Sequence, residues 1–403
     1  MILDALVIGG GIAGLWIQNR LAGAGHAVAL VEQHALGGGQ TGASQGILHG
    51  GLKYALDGRL TGASEVVYGM PERWRRCLGG TGELDLRATT RLSDACHLWS
   101  AGGLEGSLAA LLTDPALANR VRRLDGDQRP AFFRDPRFRG TVHRLDESVL
   151  DAASLVRNLA ELQPRRLLHG PDIAQRLTRD ATGFRLALDQ CELRAAHVIL
   201  AAGSGNAQLQ RSLGVHGPMM QHRGLHQVCV RMRHPHPLYG HGLSHLAQAE
   251  PELTVTSHDQ HDNGWLLYLG GRLASEGVGH PPAAQIERAR RALATLLPWF
   301  DAPLDDWRTL RIDRAEAAPV GGGRPDGACV HEEDGVITVW PTKLVLAPDV
   351  GDRTLALLGP PAADARARNR ALDTALADAP RPPFAAAFPA TNAPVEYTSG
   401  ALR

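Results

Sequence analysis

Residues 3–14 have the sequence LDALVIGGGIAG, and residues 27–32 have the sequence AVALVE. Between them lies a helical pattern with apolar residues at Leu15, Ile17 and Leu21. An apolar strand, a glycine turn, a helix, a second strand and a final acid within about 30 residues are typical of a dinucleotide-binding βαβ unit. This stretch therefore predicts a parallel sheet built around a nucleotide site.

Each position in the glycine turn has a distinct physical task. Gly9 permits the tight turn, Gly11 lets the backbone approach a pyrophosphate, and Gly14 allows the helix to pack close to the strand. Ile12 and Ala13 begin the helix, where unpaired N–H groups and the helix dipole form an anion site. The alternative is a glycine-rich turn in an ordinary βαβ unit.

The acid at the end of the second strand is suited to a ribose. Glu32 can accept hydrogen bonds from ribose hydroxyls, and its charge disfavours a 2′-phosphate and hence NADP. Gln33 follows it and is expected to lie beside the same ribose. The predicted ligand is an adenine dinucleotide.

A second glycine-rich stretch, residues 36–46, follows directly. Small residues let the backbone run close to a flat or charged group, so this loop is expected to follow the rest of the cofactor. The residues predicted to contact it are Thr41, Ala43, Ser44, Gly50 and Gly51. The alternative is a surface loop, which the apolar Ile47, Leu48 and Tyr54 disfavour.

Composition limits the class of protein. The 403 residues include 42 basic and 42 acidic ones, so the zero net charge favours neither nucleic acid nor an anionic membrane. The five cysteines show no CxxC pair, which indicates reduced thiols. No apolar run approaches the roughly 18 residues of a transmembrane span, and the first strand starts too early for a signal peptide. We therefore expect a cytoplasmic protein without a transmembrane segment.

The remaining chain alternates between helical and strand patterns. Residues 196–202 form a second buried-strand run, whose final Ala202 and Gly203 are expected near the dinucleotide. Helices are predicted over residues 65–76, 104–117, 148–162, 285–297 and 350–358. Strands are predicted over 173–177, 184–188, 219–232, 254–256, 265–271 and 336–340, and the tail from about 378 is expected to pack loosely.

Histidines cluster between the later predicted strands. No pair among them has a metal-ligand spacing with a matching second pair, so loop histidines are expected rather than a metal site. They are His234, His236, His241, His245, His258 and His261.

Together these motifs resemble FAD-dependent oxidoreductases of the D-amino-acid oxidase class. The resemblance rests on the turn at 9–14 with Glu32, on SQGILHGGLKY at 44–54, on ILAAGS at 199–204, and on Arg314, 323–325 and 342–344. It implies FAD as cofactor and an α/β fold, α+β overall. The expected FAD-binding domain is of the Rossmann type, of the glutathione-reductase-like kind, with an interleaved antiparallel-sheet substrate domain.

The resemblance also implies a division of the chain. The FAD-binding domain is expected over 1–78, 145–215 and 320–378. The substrate domain is expected over 79–144 and 216–319, followed by a tail at 379–403.

The run HGGLKY at 49–54 is most similar to flavin glycerol-3-phosphate dehydrogenases, and the wider context is similar to 2-hydroxyglutarate oxidases. Hydride transfer to flavin from a 2-hydroxy acid or a glycerol-3-phosphate-like substrate is implied. An amine or amino-acid substrate remains the alternative within the family. Covalent attachment of FAD through His49 is a further alternative.

Residue roles follow from the same resemblance. A base must take the substrate proton as hydride leaves; His49 is the first candidate, with His222 and His226 next. An anionic substrate needs a cation, for which Arg314 and Arg324 lead, with Arg223, Arg272 and Lys53 as alternatives. Lys343 is expected to hold substrate or a flavin carbonyl, Tyr54 and Tyr268 to close the pocket, and Gly351 to lie at a helix N-terminus facing the flavin.

The sequence does not identify the substrate or the electron acceptor. A small-molecule substrate is expected, and the electron acceptor is open among oxygen, a quinone and a partner protein. A non-catalytic or RNA-modifying flavoprotein is the alternative from another functional class, and the zero net charge disfavours it.

Overall fold

The computed structural model describes residues 2–50, 62–102, 120–244, 250–260, 264–300, 303–325 and 327–386. Lys53, Tyr54, Gly51 and the predicted helix at 104–117 lie outside these residues. The strands are β1 (Ile2–Ile8), β2 (Val28–Glu32), β3 (Arg91–Ser93), β4 (Cys96–Ser100), β5 (Val121–Leu124), β6 (Thr141–Leu145), β7 (Val149–Leu150), β8 (Leu167–His169), β9 (Leu177–Asp180), β10 (Gly183–Ala187), β11 (Glu192–Leu200), β12 (Met220–Met232), β13 (Gly240–Leu243), β14 (Leu253–Asp259), β15 (Trp265–Gly270), β16 (Leu304–Ala317), β17 (Cys329–Glu333) and β18 (Val336–Trp340). The helices are α1 (Ile12–Gly23), α2 (Gly62–Leu78), α3 (Ala152–Leu162), α4 (Ile173–Arg176), α5 (Asn206–Leu213), α6 (Arg272–Glu276), α7 (Pro282–Leu296), α8 (Ala347–Leu358) and α9 (Ala365–Ala375).

The first large sheet is built around β1. Its strand order is β17-β18-β11-β1-β2-β8, with β18, β11, β1, β2 and β8 parallel and a β9–β10 hairpin attached to β11. Alternate residues of β1 enter different clusters, with Val7 on the α1 side and Leu6 on the other. A parallel sheet covered on both faces explains why β1 and β2 are nearly continuous apolar runs.

The second large sheet has the order β16-β12-β15-β14-β13-β4-β6-β5 and is mainly antiparallel. One face packs on α7, where Val228 and Leu269 meet Leu293. The opposite face turns residues such as Leu225 and Gln227 toward a cavity. The predicted fold class, a Rossmann-type α/β unit with an interleaved antiparallel sheet, is confirmed.

The segments divide between the sheets along the chain. Strands of the first sheet come from residues 2–32, 167–200 and 329–340, and strands of the second come from 96–145 and 220–317. The division into two domains stays a prediction that is consistent with this distribution.

Two predicted elements differ from the structure. The predicted helix at 148–162 begins with β7 and becomes helical only at Ala152, because Asp151 caps α3 by accepting a hydrogen bond from the Ser154 N–H at 2.6 Å. The predicted strand at 173–177 is mostly the short helix α4, and the hairpin is formed by β9 and β10.

The ends of the last elements also differ. The final predicted helix starts at Ala347 rather than near 350. Part of the tail is tied down, because the Leu36 N–H donates to Pro383 O at 2.8 Å and the Ala385 N–H donates to Leu36 O at 3.0 Å. Among the described residues, no helix is long and apolar enough to cross a membrane.

Candidate cofactor and substrate cavity

A cavity of about 560 Å³ lies where β1, β11 and β18 end and the second sheet begins. Its wall includes the turn after β1, the loop at 34–47, residues 201–204, residues 339–344 and the inner face of β12 and β16. Ligands bind at the carboxyl ends of strands in such sheets, and the volume is typical of a small-molecule site.

Glycine is required at two positions of the turn after β1 and the start of α1, where backbone segments approach closely. Gly9 has φ +111°, and a Cβ there would lie 2.6 Å from Ala201 O. A Cβ at Gly14 would lie 1.9 Å from Gly9 O, so Gly14 serves the contact between α1 and the turn. Gly11 faces the cavity, where the nearest atom to an added Cβ is the Thr41 hydroxyl at 3.2 Å.

Glu32 is held in a fixed orientation at the end of β2. Its carboxylate accepts from the Gly10 N–H at 2.7 Å and from the His34 N–H at 2.8 Å. Glu32 also lines the cavity, and carboxylate oxygens have further lone pairs available to ribose hydroxyls. The Thr41 hydroxyl accepts from the Ile12 N–H at 3.0 Å and so joins the glycine-rich loop to the start of α1.

The glycine-rich loop is also bonded to the second sheet. The Gln45 amide donates to Thr254 O at 3.1 Å and to Tyr268 O at 2.8 Å. The Tyr268 hydroxyl in turn donates to Ala43 O at 2.6 Å. The predicted pocket-closing role of Tyr268 is therefore replaced by a buried bridge beneath the loop. Sequence reasoning missed Gln45, whose only signal was an amide inside a glycine-rich run.

Most predicted cofactor residues line the cavity. They are Gly9, Gly11, Ile12, Ala13, Glu32, Thr41, Ala43, Ser44, Ala202 and Gly203.

Four other predicted cofactor residues lie off the described wall. Gly14 packs against the turn, the Gln33 amide contacts the His34 ring at 2.9 Å, and the Gly50 N–H donates to the Glu147 carboxylate at 2.7 Å. The prediction for Gly351 needs correction, because Gly351 lies within α8, where a Cβ would meet Trp16 of α1 at 2.8 Å.

Positive charge gathers at one part of the wall. Arg314 and Arg324 both line the cavity, and Arg324 pairs with Glu250 at 3.0 Å. Arg223 makes a two-pronged pair with the buried Glu316 at 2.9 and 3.0 Å. Burial, together with Arg223 and Arg324 nearby, lowers the pKa of Arg314 to about 10. Among the described residues, no carboxylate lies within ion-pair distance of Arg314.

The predicted base belongs to a group of three side chains. His49 lines the cavity, and its Nδ1 lies 3.6 Å from Oε2 of Glu147. Nε2 of the buried His241 lies 3.5 Å from the same oxygen. Burial alone would raise the pKa of Glu147, but contacts from His241 and His49 outweigh it and hold that pKa well below its usual range. Sequence reasoning missed Glu147, since no local pattern marks it.

The structure places the other predicted site residues in varied surroundings. His241 and His258 lie on β13 and β14 rather than in loops. His226 is buried, with Nδ1 3.0 Å from Gly277 O, and His222 lies 3.3 Å from the Ser204 hydroxyl. Arg272 pairs with acids away from the cavity wall at Glu252 and Glu276. Lys343 lines the cavity.

These features fit FAD. The Glu32 carboxylate lies at the end of β2, the turn admits no side chain at Gly9, and the first turn of α1 faces the cavity. When bound there, the dinucleotide would contact Gly11, Ala13 and Glu32, and residues 341–344 would lie along the same cavity.

Comparison with known proteins assigns the chain to a family. A family model described as FAD-dependent oxidoreductase (DAO) matches residues 4–347. A probable FAD-dependent oxidoreductase of Pseudomonas aeruginosa is 48% identical over 384 residues, covering 95% of this chain and 96% of that protein.

Solved structures agree on the fold. The crystal structure of the Pseudomonas aeruginosa oxidoreductase superposes with a TM-score of 0.78 at 42% identity, covering 96% of this chain and 97% of the other. Glycine oxidase from Geobacillus kaustophilus gives 0.63 at 16% identity, covering 89% and 94%. FAD-bound L-α-glycerophosphate oxidase from Mycoplasma pneumoniae gives 0.60 at 12% identity, covering 89% and 95%. Because the cavity, the matched family model and the Pseudomonas aeruginosa relative agree, the chain belongs to the FAD-dependent oxidoreductases of the DAO family.

Proposed function

We propose that this oxidoreductase acts on a small anionic hydroxy compound, a 2-hydroxy acid or a glycerol-3-phosphate-like molecule. The observation that carries the proposal is the partly buried Arg314 in the cavity wall. Its neighbours Arg223 and Arg324 have carboxylate partners, whereas a substrate anion would provide the missing countercharge for Arg314. A guanidinium also binds carboxylate or phosphate through two parallel hydrogen bonds, which orients the substrate.

The proton step is assigned to His49. FAD, when bound, accepts the hydride that leaves the substrate carbon. His49 lines the same cavity as Arg314 and is the candidate to take the hydroxyl proton. The Glu147 carboxylate beside it stabilises the imidazolium that this transfer produces. Gln45 and Tyr268 keep the loop that precedes His49 bound to the second sheet.

The alternative within the family is an amine or amino acid. An amino acid has a carboxylate for Arg314 as well, so it differs from a 2-hydroxy acid at the reacting group. The glycine oxidase and glycerophosphate oxidase likenesses concern the fold alone and do not separate them. The alternative from another functional class was a non-catalytic flavoprotein. It is excluded because the family is one of oxidoreductases.

An anaerobic titration tests the proposal. The visible flavin bands of the holoenzyme are followed while glycerol 3-phosphate, 2-hydroxyglutarate, lactate, glycine and sarcosine are added separately. We expect bleaching with at least one hydroxy compound. Bleaching by glycine or sarcosine alone would replace this proposal with the amine alternative.

The role of Arg314 is tested by Arg314→Met. Loss of a hydrogen-bonded charge that meets the substrate anion should raise KM roughly 100-fold, since such contacts contribute about 1.5–3 kcal/mol. Arg308→Met is the matched control, because Arg308 lies on the same strand but pairs with Asp306 away from the cavity wall. An unchanged KM in Arg314→Met would refute the anion site.

A further inference from the structure

Glu147, His49 and His241 come from three separate parts of the chain and present one ligand atom each to a common point. The three atoms all lie within 4.8 Å of one another. Glu147 and His241 are buried, while the His49 side chain is 28% exposed and lines the cavity. One side of this group is therefore closed by protein, and the other is open to the cavity.

The two distances from Glu147 Oε2 exceed those of direct hydrogen bonds and suit neighbouring ligands of a metal ion. N–H···O hydrogen bonds are about 2.7–3.2 Å long, whereas Glu147 Oε2 lies 3.6 Å from His49 Nδ1 and 3.5 Å from His241 Nε2. Bond lengths of about 2.0–2.2 Å around tetrahedral zinc place neighbouring ligand atoms roughly 3.3–3.5 Å apart. Among the described residues, no donor makes a hydrogen bond of good geometry to Oε2.

Surrounding groups orient the ligands. Glu147 Oε1 accepts from the Gly50 N–H at 2.7 Å, which leaves Oε2 pointing toward the two imidazoles. Nδ1 of His241 lies 3.0 Å from the Thr254 hydroxyl, which turns Nε2 toward the same point. Hydrogen bonds of this kind are usual around metal sites because they fix the tautomer and the ring orientation.

Charge favours a cation at this point. The buried Glu147 carboxylate carries a negative charge, and a cation bound beside it would compensate that charge. Two nitrogen ligands and one oxygen suit zinc and neighbouring transition metals, whereas calcium and magnesium prefer oxygen.

We propose that His49, Glu147 and His241 bind a divalent transition-metal ion, with Zn²⁺ as the expected species and the fourth position open to the cavity. Binding uses the His49 lone pair, so an occupied site cannot accept the substrate proton. The ion therefore inhibits the oxidation proposed above. This inhibition rests on the proposed function, whereas the binding itself does not.

Metal binding is tested on chelator-treated holoenzyme with Zn²⁺ by calorimetry and with Co²⁺ by visible absorption beyond the flavin bands. We expect one ion per chain and a loss of affinity of roughly 100-fold or more in both Glu147→Gln and His241→Gln. Flavin content and the melting curve of each variant establish that it is folded.

The matched control is His331→Gln. The exposed His331 lies 4.0 Å from Glu333 on β17, and replacing this histidine should leave the affinity unchanged. Absence of binding in the wild type, or equal affinity in a folded His241→Gln, would overturn the metal site.

Inhibition is measured as the rate at which the hydroxy compound that bleaches the flavin reduces it anaerobically, with and without Zn²⁺. We expect the rate to fall in proportion to occupancy and to recover with chelator. A full rate on the Zn²⁺-occupied enzyme would overturn the inhibitory role. If no hydroxy compound reduces the metal-free enzyme, the proposed function fails while the calorimetric result still decides the metal site.

Discussion

Burial and neighbouring charges together set the pKa values of two side chains at or beside the cavity, Arg314 and Glu147. Burial disfavours the charged form of both Arg314 and Glu147. At Arg314 the neighbouring cations act in the same direction, so the site favours a bound anion. At Glu147 the two histidines prevail, so the carboxylate stays ionised and can support either a proton on His49 or a metal ion.

A further histidine couples the fold to pH. Burial lowers the pKa of His97 to about 4, although its Nδ1 lies 3.3 Å from the Tyr239 carbonyl. The unfolded chain protonates near 6.5 and so binds more protons than the folded protein between about pH 4 and 6.5. Stability should therefore fall as pH decreases through this window, with His97 contributing about 3 kcal/mol at most.

His97→Gln tests this contribution. The slope of the unfolding free energy against pH, from urea titrations between pH 4.5 and about 7, should decrease relative to the wild type. The slope should stay above zero, because burial also lowers the pKa of other histidines, among them His143 and His258. His331→Gln, which removes an exposed histidine of β17, is the control for the loss of a surface histidine. An identical slope in His97→Gln would contradict the assignment.

At the scale of elements, the position of α1 depends on close backbone contacts. It lies against the turn after β1 through Gly14 and against α8 through Trp16 and Gly351. These two contacts hold the first turn of α1 beside the cavity. Gly351 is thus tied to the cofactor site through helix packing rather than through direct contact.

Gly14→Ala should weaken FAD binding roughly 10- to 100-fold. The added Cβ would lie 1.9 Å from Gly9 O, so the start of the helix must move. Overpacking of this kind costs about 1–3 kcal/mol, which corresponds to the expected loss of affinity. Titration of the apoprotein with FAD, followed by flavin fluorescence, measures the affinity.

Gly23→Ala is the control within the same helix. A Cβ at Gly23 meets nothing within 4 Å, so FAD affinity should be unchanged and stability should rise by about 0.5–1 kcal/mol. Wild-type affinity in Gly14→Ala would show that the close contact is not required.

At the scale of the whole molecule, the last described segment returns to the first. Residues 380–386 bond to Leu36 and to His169, whose N–H donates to Pro380 O at 2.8 Å. Ala385 and Ala386 line the cavity together with Glu32 and His34. The two ends of the described chain therefore share the wall near the predicted ribose site.

A chain that ends at Ala379 should bind FAD about tenfold more weakly, because it loses part of the wall and two backbone hydrogen bonds that position Leu36 in the loop at 34–38, besides one made by His169. The dissociation rate of FAD from the holoenzyme, measured by fluorescence recovery, should increase. A chain that ends at Ala386 keeps these contacts and should match the wild type. Equal rates in both shortened chains would refute the role of this segment.

Local patterns were sufficient for the dinucleotide-binding turn at the start of the chain. The strand, turn and helix at 3–23 depend on contacts close in sequence, so Gly9, Gly11 and Glu32 were predictable as cavity residues. The same holds for β18, whose apolar run matches its observed bounds. Boundaries failed where one cap decides them, as Asp151 does for α3.

What the sequence by itself determined is a dinucleotide-binding α/β protein, because each part of that motif is local, and its resemblance to FAD-dependent oxidoreductases indicated FAD as the cofactor. Only the tertiary structure brought Glu147 and His241 to His49, and only it paired Arg223 and Arg324 with acids while leaving Arg314 to the cavity. These residues come from strands and loops distant in sequence, and no periodicity records which of them will meet. Charge pairing and burial across the two sheets are decided by packing, and they define the substrate end of the site.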